Sequence, residues 1–238
     1  MKAVSACVAI ILIMVVVSSC DSSVVLEDND WTISGLSGQV KSINRRTYRA
    51  ILQRDEWSKG PSNQTYSIKN FDKNGFSIDE KQYFINDNSL YGGSTFEYDS
   101  ENNLIKINRI GGDGSPVGYT EIIERIGKVR PSKFDTYFVS PEETTKTGSS
   151  RTVWTDYLVT ESNFYDKGGK LISKSTILYN EDRSIDEFTT LRFTENSNMT
   201  VKYTYLSKDN HGNWTSALKE IIGFNYQEIV DRNIVYYQ

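Results

Sequence analysis

Few side chains in this sequence could carry out catalysis or bind a metal. The chain has a single histidine, His211, and two cysteines, Cys7 and Cys20. A histidine acts as a general base or a zinc ligand only beside suitable partners. His211 stands in an Asn-His-Gly-Asn run at 210–213, which is typical of a turn. We therefore predict no metal site and no cofactor.

Paired carboxylates are the remaining route to catalysis. Two such groups about 5–10 Å apart hydrolyse glycosidic bonds, one as the acid and the other as the nucleophile or base. Among 31 acidic residues, spacing singles out no pair; the candidates considered are Asp186 with Glu187, Glu121 with Glu124, and Glu142 with Glu143. We assign no catalytic residue. A non-catalytic binding or scaffolding module is the first prediction, and a carboxylate-based, glycan-active enzyme is the alternative.

Aromatic side chains are a better basis for binding. The chain has 15 tyrosines, 10 phenylalanines and 4 tryptophans. Indole offers the largest flat surface for stacking on a sugar ring, so Trp57, Trp154 and Trp214 are the candidate ligand-binding residues. The alternative is packing between adjacent strands, where a cross-strand pair contributes about 0.2–1 kcal/mol. The periodic placement of the aromatic residues beside turns favours packing for most of them.

The N-terminus carries a more specific pattern. Lys2 precedes an apolar stretch over 3–17, and Val17-Ser18-Ser19-Cys20 follows. A basic start, an apolar run of about 7–15 residues and small residues before a cut define a secretory signal. With cysteine after the cut, the pattern resembles bacterial lipoprotein signals, which implies acylation of Cys20. We predict a signal peptide over 1–19 and a lipidated tether over 20–30.

The net charge of the chain limits the classes of partner that it is expected to bind. The net charge is −4, and the largest basic cluster is Arg45-Arg46. An acidic chain without a basic patch disfavours nucleic acid as a partner. The predicted partners are the membrane, through the lipid anchor at Cys20, and a glycan or an envelope protein. The predicted location is the outer membrane of a bacterial cell envelope, with the choice between a periplasmic and a surface-facing domain left open.

The elements that must position these residues are strands joined by similar turns. Apolar and polar residues alternate with a period of two, as in Met199, Val201, Tyr203 and Tyr205. An aromatic residue, an aspartate, turn residues and an apolar residue recur at 71–76, 98–104 and 165–171, with weaker copies starting at 84, 179 and 193 and a longer version at 205–214. Asp, Asn and Gly in these runs favour tight hairpin turns.

This repeated pattern resembles the YD-repeat-like (RHS-like) β-repeat lipoproteins of the Bacteroides group. The resemblance implies tandem antiparallel hairpins in a lipid-anchored protein. It implies no catalytic residue, because the residues that match are turn and packing residues.

A curved sheet is the expected fold. About a dozen strands in one sheet should curl, since open sheets rarely exceed about ten strands. We predict a single all-β domain over 31–238, an antiparallel meander of repeated hairpins that forms a strongly curved sheet or an open barrel. A two-sheet β-sandwich is the alternative. Residues 127–150, which include Pro131 and Pro141, are expected to form an irregular insertion, and a free strand edge near Tyr236 would allow pairing with a partner.

The lipid anchor is directly testable. Cells grown with an alkyne-bearing palmitate should label the wild-type protein and the Cys7→Ala variant, and labelling should disappear in Cys20→Ala because the acylated thiol is lost. Detection is by click chemistry and in-gel fluorescence. Absence of label on the wild-type protein would contradict the lipoprotein prediction.

Overall fold

In the part of the chain that the structure describes, fourteen antiparallel strands form a closed barrel. The computed structural model describes residues 27–140, 142–224 and 226–238. Each strand pairs with its neighbours in the sequence, and the last strand pairs with the first. The strands are β1 (Val40–Gln53), β2 (Glu56–Phe71), β3 (Ser77–Phe84), β4 (Leu90–Tyr98), β5 (Leu104–Ile110), β6 (Pro116–Ile126), β7 (Arg130–Val139), β8 (Thr144–Thr155), β9 (Leu158–Asp166), β10 (Leu171–Tyr179), β11 (Ile185–Arg192), β12 (Ser197–Lys208), β13 (Trp214–Ile221) and β14 (Gln227–Tyr236).

The all-β antiparallel meander is thus confirmed, and the β-sandwich alternative is wrong. One helical turn, α1 (Asp30–Ile33), precedes the strands. Within the described ranges, no helix has the length and apolar character needed to cross a membrane.

Pairing between β1 and β14 closes the sheet. The register runs from Val40 opposite Tyr236 to Arg49 opposite Glu228. On its other side β14 pairs with β13 over Ser216–Glu220. The predicted free edge near Tyr236 is therefore wrong, because this strand has a partner on both sides.

The repeated sequence pattern forms one kind of turn. In the first copy, the Asp72 carboxylate accepts hydrogen bonds from the backbone amides of Asn74 and Phe76, both at 2.9 Å. The residue three positions after the aspartate has a positive φ, which favours Gly or Asn. The same turn recurs at Asp99, Asp166 and Asp209, with Asn102, Gly169 and Gly212 at the positive-φ position.

The predicted irregular insertion at 127–150 is wrong, because β7 and β8 fill most of it. Phe134, Thr136 and Phe138 share one face of β7, and Lys133, Asp135 and Tyr137 share the other. Pro131 lies beyond the first β7–β8 pair, Lys133 with Arg151, so its missing amide hydrogen removes no bond from that ladder. Pro141 falls outside the described residues.

The two faces of the sheet differ. Alternate residues of β1 and β14, such as Arg45 and Arg232, line an interior cavity. The residues between them face outward, as Arg46 does. The pairing of neighbouring strands determines which other side chains face outward. Ion pairs lie on this outer face, including Lys174 with Glu161 at 2.7 Å and Lys202 with Glu187 at 3.7 Å.

Residues 27–39, which we call the N-terminal plug, cover one end of the barrel. The Asp30 carboxylate accepts hydrogen bonds from the Ser77 amide at 2.8 Å and the Tyr98 hydroxyl at 2.7 Å. Asn29 caps α1 by accepting from the Thr32 amide at 3.1 Å. Both Asn29 and Asp30 are buried, at 3% and 4% exposure.

The plug also reaches two further turns. Asp28 forms an ion pair with Arg130 at 3.2 Å, after the β6–β7 turn. Asn213, at the β12–β13 turn, forms two hydrogen bonds of 2.8 Å with the backbone of Ser37. Residues 27–30, predicted as the end of the tether, therefore belong to the folded domain; residues 1–26, which contain Cys20 and the predicted signal peptide, lie outside the described ranges.

Alanine substitutions at two glycines can show how much the contact with the N-terminal plug contributes to stability. Gly75 and Gly169 occupy equivalent turn positions with φ of +88° and +82°. A Cβ on Gly75 would lie 2.6 Å from the side chains of Asn29 and Trp31, whereas a Cβ on Gly169 would meet nothing within 4 Å. Gly169→Ala should cost about 1–2 kcal/mol from the left-handed backbone alone, and Gly75→Ala about 1–3 kcal/mol more because it displaces the plug.

Urea unfolding monitored by circular dichroism measures the loss in free energy of unfolding for each variant. Equal losses for Gly75→Ala and Gly169→Ala would show that the plug does not press on this turn.

Candidate functional site

A cavity of about 590 Å³ lies inside the barrel, beneath the N-terminal plug. The plug contributes Ile33, Ser34 and Gly35 to its lining. The walls come from β1–β3 on one side and from β10–β14 on the other, with residues of the β10–β11 turn at the rim. Strands at the two ends of the sequence therefore build one site, because the sheet closes between β1 and β14.

The lining is rich in basic side chains. It contains two acidic residues, Asp182 and Glu228, and five basic ones: Arg45, Arg183, Lys208, Lys219 and Arg232. Lys219 pairs with Glu228 at 2.7 Å and Lys208 with Asp182 at 2.5 Å. The cavity is thus electropositive inside a chain whose net charge is −4.

Arg232 is the most unusual of these residues. Its guanidinium carbon lies 3.6 Å from the centroid of the Trp214 ring, and its Nε donates a hydrogen bond to the Trp214 carbonyl at 3.0 Å. Its Nη2 is buried and has no hydrogen-bond partner among the described residues. Among the described residues, no carboxylate lies within ion-pair distance of the Arg232 guanidinium. Burial lowers the pKa of Arg232 to about 10, which still leaves it charged at neutral pH.

Arg45 lies directly opposite Arg232 across the β1–β14 ladder. Its Nη2 is 3.5 Å from Glu80 on β3, and its side chain is 49% exposed. Directly opposed like charges destabilise a sheet. Glu80 forms an ion pair with Arg45, whereas Arg232 has no such pair among the described residues and is attracted by Asp209 only from beyond ion-pair distance.

Hydroxyl, amide and aromatic groups form the rest of the walls. On one side lie Thr47, Asn63, Thr65, Ser67 and Gln82. Facing them are Tyr179, Tyr203 and Tyr205. The Tyr205 hydroxyl donates to the Ile185 carbonyl at 2.8 Å, and burial raises its pKa to about 12, so it remains neutral. These tyrosines add aromatic surface to a wall that also carries the charged residues of β12–β14.

The acidic residues of the cavity are poorly suited to general acid catalysis. A general acid needs a raised pKa, as a carboxyl gains in an apolar pocket. Hydrogen bonds from Lys208 and Ser184 instead lower the pKa of Asp182 to about 2. The carboxylate pairs considered from the sequence do not line the cavity, and the described residues contain no cluster of three or more His, Cys, Asp or Glu side chains that could hold a metal.

The three candidate tryptophans do not form one site. Trp214 lines the cavity. Trp57 packs against Ala50, Leu218 and Ile229, and the Trp154 indole donates to the Pro131 carbonyl at 2.8 Å. His211 stacks on Tyr236, with ring centroids 4.1 Å apart.

Comparisons with known proteins add a likeness of fold only. Neither a protein-family model nor a curated protein matches this chain. A solved porin-like protein from Bacteroides uniformis is similar over 84% of this chain and 99% of its own, with 13% identity and a TM-score of 0.47. A porin-like protein from Bacteroides vulgatus covers the same shares with 9% identity and a TM-score of 0.46.

A DUF1329 family protein from Desulfovibrio piger is similar over 83% of this chain and 86% of its own, with 9% identity and a TM-score of 0.31. At these scores the likenesses carry no statement about a ligand or an activity. The resemblance to YD-repeat-like lipoproteins is not shown by these structures and stays a prediction.

The ion pair at the cavity rim should give a small, pH-dependent contribution to stability. Because the folded-state pKa of Asp182 lies below its unfolded value, the pair stabilises the protein above about pH 4 and loses this effect as the pH falls toward 2. The side chains of Lys208 and Asp182 are 45% and 44% exposed, so Asp182→Asn should cost at most about 1 kcal/mol at pH 7.

Urea unfolding at pH 7, 4 and 2.5 measures this difference. Asp186→Asn, at an exposed position without an ion pair, is the control and should stay within about 0.5 kcal/mol of the wild type. A wild-type advantage over Asp182→Asn that grows toward acidic pH would contradict the assignment.

Proposed function

We propose that this protein is a non-catalytic binding module of the bacterial cell envelope that holds a small polar ligand inside its barrel. The cavity carries this proposal: its volume of about 590 Å³ falls within the range of about 300–1,000 Å³ typical of small-molecule sites. An interior cavity of this size admits a glycan fragment and excludes a folded protein. Of the two partner classes predicted from the sequence, the glycan is therefore favoured.

The lining supports binding rather than hydrolysis. Hydroxyl and amide groups on β1–β3 can hydrogen-bond to a sugar, and the aromatic wall opposite can pack against its ring face. A glycosidase needs one carboxylic acid that keeps its proton near neutral pH. Asp182 is held ionised by Lys208, and Glu228 contacts Lys219, so neither is free to take that role.

The envelope location rests on the N-terminal pattern. The lipoprotein-like signal and Cys20 support attachment through acyl chains, and two or more chains are enough for a stable anchor. We propose the outer membrane as the site of attachment. The likeness of the repeated turns to YD-repeat-like lipoproteins supports the same proposal.

Blocking the cavity should abolish binding. Thr65 lines the cavity, whereas Gln64 is exposed and points to the other face of β2. Thr65→Trp should fill the space and remove the rise in melting temperature caused by galactose, galacturonic acid or their disaccharides. Gln64→Trp adds the same bulk outside the barrel and should leave that rise unchanged.

Differential scanning fluorimetry across this sugar panel measures the shift, because a ligand that binds only the folded state raises its stability. Equal responses in the two variants would place binding outside the cavity. A flat response of the wild-type protein to every sugar would contradict a glycan ligand.

A further inference from the structure

We infer that the ligand of the cavity is an acidic sugar, and that Arg232, together with Arg45, binds its carboxylate or sulfate group. This inference rests on the proposed function and specifies the chemical class of the ligand. It depends on three features of the described residues: an opposed pair of arginines, an unused guanidinium donor, and a polar wall within the same cavity.

The opposed pair creates a local excess of positive charge. Arg45 and Arg232 are direct partners across β1 and β14, so their Cβ atoms lie about 4.5–5.5 Å apart. Both side chains line the cavity. Glu80 contacts Arg45, whereas among the described residues no carboxylate forms an ion pair with Arg232, which the Asp209 carboxylate attracts from beyond ion-pair distance. An anion bound between the two guanidinium groups would remove this repulsion.

Trp214 holds the Arg232 guanidinium in one orientation in the wall of the cavity. The Trp214 ring supports one face of its guanidinium, and the Trp214 carbonyl holds its Nε, so the planar group has little freedom to turn. Its Nη2 is buried and makes no hydrogen bond in the described structure. A buried donor without a partner is costly, and a guanidinium matches the planar, two-oxygen edge of a carboxylate or sulfate.

The other groups that line the cavity indicate which kind of molecule bears the acidic group. Thr47, Ser67 and Gln82 lie on β1, β2 and β3 beside Arg45, and they supply hydroxyl and amide groups. Tyr203 and Tyr205 supply aromatic surface from β12. A simple inorganic anion would use only the arginine pair and leave this surface unused. A sugar with one acidic substituent matches both parts.

The test compares sugars that differ in a single group. The full-length protein in detergent is titrated by isothermal calorimetry with galacturonic acid, galactose, sodium acetate and sodium sulfate at fixed ionic strength. Galacturonic acid should bind at least about tenfold more tightly than galactose, since charge-assisted hydrogen bonds are about twice as strong as neutral ones. Acetate and sulfate should bind more weakly than galacturonic acid because they lack the hydroxyl groups.

Two arginine variants separate the anion site from general charge effects. Arg232→Gln should abolish the preference for galacturonic acid and leave the affinity for galactose within about twofold. Arg46→Gln is the matched control, because Arg46 is the neighbour of Arg45 on the outer face, where it lies over the Tyr66 ring. It removes the same charge and should leave both affinities unchanged. If Arg232→Gln does not fold, Arg232→Lys keeps the charge without the planar fork and should weaken galacturonic acid alone.

Each other outcome overturns a defined part of the proposal. Equal affinity for galactose and galacturonic acid would overturn the acidic-sugar inference and leave the binding function intact. Sulfate or acetate binding as tightly as galacturonic acid would show a site for simple anions. No binding by any sugar, in a protein that melts cooperatively, would overturn both the inference and the proposed glycan ligand.

Discussion

The ladder between β1 and β14 is the constraint on which the rest of the structure depends. It joins strands that lie at opposite ends of the described sequence and leaves no unpaired strand in the sheet. Closure also encloses the cavity and brings Arg45 opposite Arg232. A curved sheet that stopped short of closure would place these two arginines on separate edges, where water would surround each of them. The charge pattern of the candidate site is therefore a product of closure.

Local features of the sequence are enough to predict most of the strands and many of the turns. The aspartates at 72, 99, 166 and 209 fold back on amides two and four residues later, so five residues contain the whole interaction. The two prolines at 131 and 141 favour an irregular segment over 127–150, because proline usually breaks a ladder. This prediction fails because Pro131 lies beyond the pairs that β7 makes with β8 and pairs with Arg125 of β6 beside a register shift.

The site itself could not be predicted in the same way. Arg45 and Arg46 form the largest basic cluster in the sequence, but the sheet places one inside and the other outside. Whether Arg45 meets a carboxylate or another arginine depends on a register between residues almost two hundred positions apart. Trp214 and Trp57 have the same side chain. The pairing of their strands determines that Trp214 lines the cavity and that Trp57 packs in a small apolar cluster.

Closure through antiparallel pairing has a consequence for how such a chain can grow. In a meander, successive strands alternate in direction, so the first and last strands are antiparallel only when the number of strands is even. Fourteen meets this condition. Duplicating or deleting one strand would make the ends parallel, so the antiparallel ladder that joins β1 to β14 could not form. Lineages built on this plan should therefore gain or lose strands two at a time, as whole hairpins with their aspartate turns.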